Sequence, residues 1–345
     1  MDVLSLLKKP GRLRSLLGYY EYGVMPPPPK HLRASDIVSD TTFAAGKAEL
    51  VSVTLECELE SGERHKIDIR YALPLDSGRH PAFIHIKGDL NMPDRHQPTE
   101  EICDGGFAVV SIGVEEPTAE ARTRSRRLAR ALRGGERRYD APGSLTAFAW
   151  CAMRAVDYLC GLDAIDSSRL YAVGHGIYGT AALLAAAHDG RIAGVITNSA
   201  GPSGVADRIA ARSELFKLKT RRGDLFCRRF YKLSGREEEL PFAGDSLLAL
   251  IAPRPVLLDN ADSPLSRCAE LELRAAIAAS RYYEALGARG LVIPHGIDPF
   301  EATEFGKEAC FADGALAYRK RVNLPYLSRE DWRVYMNFAS KGGKG

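Results

Sequence analysis

Leu170-Tyr171-Ala172-Val173-Gly174-His175-Gly176-Ile177-Tyr178-Gly179-Thr180, running on into Ala181 to Ala187, decides how this chain folds. The apolar run to Val173 has the length of a buried strand, the three glycines make a tight turn, and the alanines give a helix face narrow enough to lie against a sheet. A strand, a sharp turn and a helix in that order form a nucleophile elbow, in which a serine between glycines sits on a strained bend. At the apex this sequence carries Gly176.

Outward from the elbow the pattern repeats. Pro81 to Ile86, Phe107 to Ile112 and Ile192 to Thr197 are continuous apolar runs, as strands covered on both faces require. Ser144 to Cys160 has helical spacing, Leu247 to Leu258 reads as a helix end followed by a strand, and Cys268 to Leu286 as a helix. Gly290 to Pro294 reads as a further strand. Val51 to Leu55 and Lys66 to Tyr71 alternate about Ser61-Gly62, which predicts a β-hairpin. Ser328 caps a final helix to Ala339, with Glu330 and Asp331 in its first turn. Strands alternating with helices predict an α/β fold, a mostly parallel central sheet with helices on both faces. Residues 1–47, with the proline run Pro26 to Pro29, are expected to wrap a single domain spanning 48–345. Insertions are expected at about 115–140 and 202–246, the second roofing the pocket.

The 345 residues are 45% hydrophobic and 26% charged with a net charge of +3, ordinary for a globular protein and too nearly neutral to demand an acidic partner. Arginines crowd residues 122–138, but glutamates dilute them and no aromatic interleaves before Tyr139, so a solvated insertion is expected and nucleic acid is not. The seven cysteines are scattered without a C-x-x-C pair and read as reduced thiols. No apolar run reaches a membrane span, and Met1 to Tyr22 lacks a signal-peptide core, so a cytoplasmic location is expected. His80, His85 and His96 lack metal-ligand spacing, and no cofactor is implied.

Several segments together resemble the glucuronoyl esterase group, the family-15 carbohydrate esterases and their acetyl xylan esterase-like relatives. They are Tyr22 to Pro26, Ala149-Trp150 with Val156 to Leu159, Gly174-His175 with Gly179, Glu238 to Pro241, Leu248 to Pro255, and Asp331-Trp332 with Phe338-Ala339. The resemblance runs from about Arg12 to Ala339 and implies an α/β-hydrolase fold with a pocket for ester-bearing sugars, so a small carbohydrate or uronate is the expected ligand. The family elbow reads Gly-x-Ser-Arg-x-Gly-Lys, and here the serine, arginine and lysine places hold Gly176, Ile177 and Thr180. The family's base histidine falls on Pro325, or on Tyr326 if the register moves by one. The Asp-x-His after Leu-Pro is replaced by Ala243-Gly244-Asp245. The resemblance therefore implies a non-catalytic relative, since glycine offers no nucleophile and the isoleucine side chain no oxyanion donor.

Two other readings stand beside it. Asp262 after one late strand and His295 after the next supply the acid-then-histidine order of this fold, with His175 beside the elbow, for a serine-independent hydrolase or lyase. The plainer reading makes His295 a surface loop residue, Asp262 a turn residue and His175 a packed neighbour of the sheet. Gly174 to Gly179 also matches the G-x-G-x-x-G spacing of nucleotide-binding turns. The acidic residue expected ~20 positions later is missing there, the place being taken by Thr197 to Ala200.

Overall fold

The computed structural model describes residues 7–90, 94–114, 128, 130–132, 138–262, 267–322 and 324–342. Its centre is a ten-stranded sheet in the order β1-β2-β3-β5-β4-β6-β7-β8-β10-β9. The strands are β1 His31–Asp40, β2 Ala48–Glu58, β3 Arg64–Pro74, β4 His80–Lys87, β5 Ala108–Gly113, β6 Ile165–His175, β7 Ile192–Asn198, β8 Val256–Ala261, β9 Ala309–Phe311 and β10 Leu316–Arg321. From β5 through β10 the neighbours run parallel, while β1 to β3 and β9 add antiparallel edges. The longer helices are α1 Pro10–Leu17, α2 Ser144–Leu159, α3 Ile177–His188, α4 Arg212–Arg221, α5 Cys268–Ala285 and α6 Arg329–Gly342.

Burial explains the layers. Every residue of β4 is buried, as a strand covered on both faces must be. On one face Ile84, Ala172, Val195 and Leu258 pack against α2, α3 and α5, and Ala181 to Ala187 are all buried there. Side chains that small let α3 approach the strands closely. On the other face Phe83, Tyr171, Val173, Ile196, Leu257 and Ala317 pack against Trp332, Tyr335 and Phe338 of α6. The α6 start is a reciprocal cap: Asp331 N donates to Ser328 Oγ at 3.2 Å, and Ser328 N donates to Asp331 Oδ2 at 2.8 Å.

Three expectations need correction. The segment 1–47 is not only a wrap, because His31–Asp40 is a full edge strand paired with β2. Its sequence hides this: Asp36 takes φ +50° at a bulge, the register shifts between Ser35 and Val38, and the strand's side chains are largely exposed. Residues 290–294 form no strand; only Leu291 makes an isolated bridge, to Leu316, and the parallel strand beside β8 is β10. The insertion after Pro202 contributes no residue to the wall of the elbow cleft. It packs on residues 18–27 instead, with Tyr22 Oη donating to Ser203 O at 2.7 Å and Cys227 N to Glu21 O at 2.8 Å. Residues 115–127 lie outside the described residues, as do most arginines of 122–138; Arg138 pairs with Asp140 at 2.9 Å. Among the described residues no helix is long and apolar enough to cross a membrane.

Candidate functional site

The bend between β6 and α3 is a strained elbow with a bare apex. Gly176 has φ +56° and ψ −128°, outside the regions that side chains favour. Its amide donates to Asn198 O at 2.9 Å, and its carbonyl accepts from Gly179 N at 2.9 Å. The flanking glycines are dictated by close approach: a Cβ on Gly174 would lie 2.2 Å from Tyr178 O, and one on Gly179 would lie 2.9 Å from Gly174 O. A Cβ on Gly176 would meet nothing within 4 Å. The turn has kept the geometry of a nucleophile mount and the room for a side chain.

Beside the apex, the strand register produces a polar row. His175 pairs with Asn198, Asn198 with Asp259, and Asp259 with Arg319, so β6, β7, β8 and β10 each place one residue side by side. In four of these strands the residue two positions earlier (Val173, Ile196, Leu257 and Ala317) is apolar core, which is why the row caps that core at the C-terminal ends of the strands. His175 Nδ1 lies 2.8 Å from Asn198 Oδ1, and Asn198 Nδ2 donates to Asp259 Oδ2 at 3.1 Å. Tyr335 Oη donates to Asp259 Oδ2 at 2.7 Å, and Arg319 reaches Asp259 at 3.2 Å and Asp331 at 2.6 Å. Arg321 adds a 3.0 Å contact with Asp331 and donates to the carbonyls of Leu324 and Tyr326, fixing the loop before α6. Burial pushes Asp259 up to about 6 against the pull of Arg319. Burial also holds the His175 imidazole below the ordinary histidine range.

The row ends at a cleft of about 240 Å³ whose wall includes His85, Lys87, Asp94, His96, His175, Tyr178 and Tyr326. Burial and the neighbouring Lys87 push His85 down to about 4, so it is neutral at physiological pH. Lys87 is held by Asp94 at 2.5 Å. Burial would raise the Asp94 carboxyl, but bonds from Lys87 and His96 N outweigh it and leave it lowered. No serine or cysteine lines the cleft among the described residues, and no group of three His, Cys, Asp or Glu there is arranged to hold a metal ion.

Of the residues singled out from sequence, His175, Gly176 and Ile177 sit together at the elbow. Pro325 is exposed and off the cleft wall; its neighbour Tyr326 occupies that place. Asp262 and His295 are not brought together. Asp262 is bound to Lys320 and to Gly306 N at 2.7 Å on a different cavity, while His295 is an exposed loop residue upstream of β10. The pairing failed because it rested on a strand at 290–294 that does not form. Thr180 is buried with its Oγ1 2.8 Å from Ser203 Oγ, away from the cleft wall. For the nucleotide reading, Asn198 stands near the place of the acidic residue, and its side chain is consumed by the row. His85, Lys87, His96 and Tyr178 were not foreseen as site residues; the only sequence signal was that β4 ends where β6 does.

The family described as glucuronyl esterase, fungi, matches residues 59–287. The carbohydrate esterase MZ0003, from an unknown prokaryotic organism, is 30% identical over 198 residues, taking in 57% of this chain. The chain spans less than half of that relative's length, 44%. A glucuronoyl esterase structure from Solibacter usitatus has a TM-score of 0.82 at 22% identity, covering 99% of this chain and 94% of that one. A carbohydrate esterase family 15 glucuronoyl esterase from Teredinibacter turnerae gives 0.75 at 20% identity, covering 99% and 86%. Fold, elbow and sequence match agree: this chain belongs to the glucuronoyl esterase family, carbohydrate esterase family 15.

Proposed function

We propose that this family member binds a small carbohydrate or uronate ester in the elbow cleft and does not cleave it by serine chemistry. The observation that carries the reading is Gly176: the strained apex is retained while its side chain is gone. The losses inferred by resemblance at Ile177, Thr180 and Pro325 agree with it, since one lost oxyanion donor alone typically costs ~10²–10³ in rate and a lost nucleophile more. Tyr178 and Tyr326 on the wall offer aromatic surface for a sugar ring. The test is to incubate the full chain with a benzyl ester of glucuronic acid, measuring alcohol release and, by calorimetry, binding. Binding without release above the buffer rate is expected. Turnover with a burst of one equivalent per protein would reveal a covalent nucleophile and overturn the reading.

A further inference from the structure

The tautomers of the cleft histidines are set by their partners. Asn198 Nδ2 faces the Asp259 carboxylate at 3.1 Å and Tyr335 Oη at 2.9 Å, so its NH₂ is directed there and Oδ1 is the atom facing His175 Nδ1. An amide oxygen only accepts, so Nδ1 of His175 carries the hydrogen. Gln97 repeats the arrangement at His85. Its Nε2 donates to Thr99 Oγ1 at 3.2 Å, and its Oε1 receives Ser111 Oγ at 3.0 Å and lies 2.6 Å from His85 Nδ1. In both rings Nε2 is left as an acceptor, with no protein partner among the described residues and with the ring on the cleft wall. The third histidine differs, because His96 Nε2 already receives Arg95 Nε at 3.2 Å.

The two acceptors belong to one surface. His85 lies in register with Val173, and His175 is two residues further along the same face of β6, which makes the two imidazoles diagonal cross-strand neighbours. A bare imidazole nitrogen accepts a hydrogen, so what the two rings offer the cleft is a pair of acceptors. The charged side chains on the wall are Lys87, Asp89 and Asp94, and Lys87 is already engaged by Asp94. Among the described residues no arginine lines the wall. A free carboxylate entering this cleft brings no hydrogen to either lone pair, and the lysine on the wall is already committed to Asp94.

We propose that His85 and His175 are a hydroxyl-reading pair, two fixed acceptors that select an uncharged polyhydroxylated sugar over a uronate anion. The inference rests on the reading of the cleft as a carbohydrate site and narrows it. Asn198 and Gln97 are positioning residues: each fixes which nitrogen of its imidazole is bare. The pair explains why a cleft whose apex has no side chain still carries an ordered polar wall.

The test is long-range ¹⁵N–¹H correlation of the histidine rings in the full, ¹⁵N-labelled chain at pH 7, before and after adding methyl β-glucopyranoside or sodium glucuronate. Both rings are expected as the Nδ1–H tautomer. The glucoside should shift both Nε2 signals, with glucuronate binding at least ~10-fold more weakly. His175→Phe and His85→Phe keep a ring and remove the acceptor, and each should weaken glucoside binding about 10-fold, the scale of one hydrogen bond. Asn198→Leu should return His175 to a mixture of tautomers. An Nε2–H tautomer or an imidazolium in either ring overturns the proposal. Glucuronate binding as tightly as the glucoside, and shifting the same signals, overturns the selectivity while leaving the cleft a carbohydrate site. No shift of either ring by either sugar or by the benzyl ester removes both the pair and the proposed function.

Discussion

Two networks of buried charge fasten this molecule on opposite faces of the sheet, and they differ in where they end. The first joins Glu21, Tyr22 and Arg208: Arg208 Nε meets Glu21 Oε1 at 2.8 Å and Nη2 meets Tyr22 Oη at 2.7 Å. It pins the N-terminal segment to the insertion after β7 and stops there. The second joins Asp259, Arg319, Asp331 and Arg321, and continues through Asn198 to an imidazole on the wall of a cleft. Buried ion pairs alone say little about function, because desolvation cancels much of their attraction. The second network stands out because it ends on the wall of a cleft, at His175, whose Nε2 has no protein partner among the described residues.

Removing one charge from either network should give the largest effects. Arg208→Met and Arg319→Met each strand buried carboxylates and should each cost about 3–5 kcal/mol in urea unfolding. Folded Arg208→Met should keep its sugar-dependent histidine shifts, while folded Arg319→Met should lose them. Equal behaviour of the two would erase the distinction drawn here. A second contrast lies within the elbow. Gly174→Ala drives a methyl into the Tyr178 carbonyl and should cost roughly 3 kcal/mol by overpacking. Gly176→Ala enters open space and should cost only about 1 kcal/mol, for its backbone conformation. Thermal midpoints in the reverse order would show the apex to be the tighter position.

pH provides a third, smaller contrast. His85 is pushed down to about 4, so the unfolded chain, with an ordinary histidine near 6.5, takes up a proton that the folded chain refuses. Its contribution to stability is complete above about 6.5 and declines as the pH falls towards 4, so stability should rise with pH through that window. Denaturant midpoints at pH 4.5 and 7 should differ less in His85→Gln than in the natural chain, by about 2 kcal/mol. An identical pH dependence would place His85 in water. The smallest effect is expected from Gly176→Ser, which supplies a hydroxyl but not the histidine whose place, by the resemblance, falls on Pro325. No ester release above background should follow, and a measurable acyl-enzyme burst would locate a working base in the cleft.

The sequence spoke clearly wherever local pattern and tertiary role coincide. The glycines of 174–179, the alanines of α3, the alternation of β2 and β3 and the Ser328 cap all carry their reason in their spacing. β10 did not, because Leu316-Ala317-Tyr318-Arg319-Lys320-Arg321 reads as a solvated segment. Its three cations are in fact turned inward onto Asp259, Asp262 and Asp331. The apolar residues 291–293 therefore took its place in the reading and carried His295 to a false position. The polar row was invisible for a related reason. His175, Asn198, Asp259 and Arg319 are far apart in sequence, and only the register of four strands sets them side by side.

The contacts of the N-terminal segment have a consequence for how the chain is made. Trp150 Nε1 holds Pro27 O at 2.9 Å, and Tyr22 is seated on Ser203, 181 residues further along. During synthesis these early residues must wait, exposed and without a seat, until more than half of the polypeptide has left the ribosome. That interval, and not the finished molecule, is when Tyr22, buried once folded, is open to proteases and chaperones.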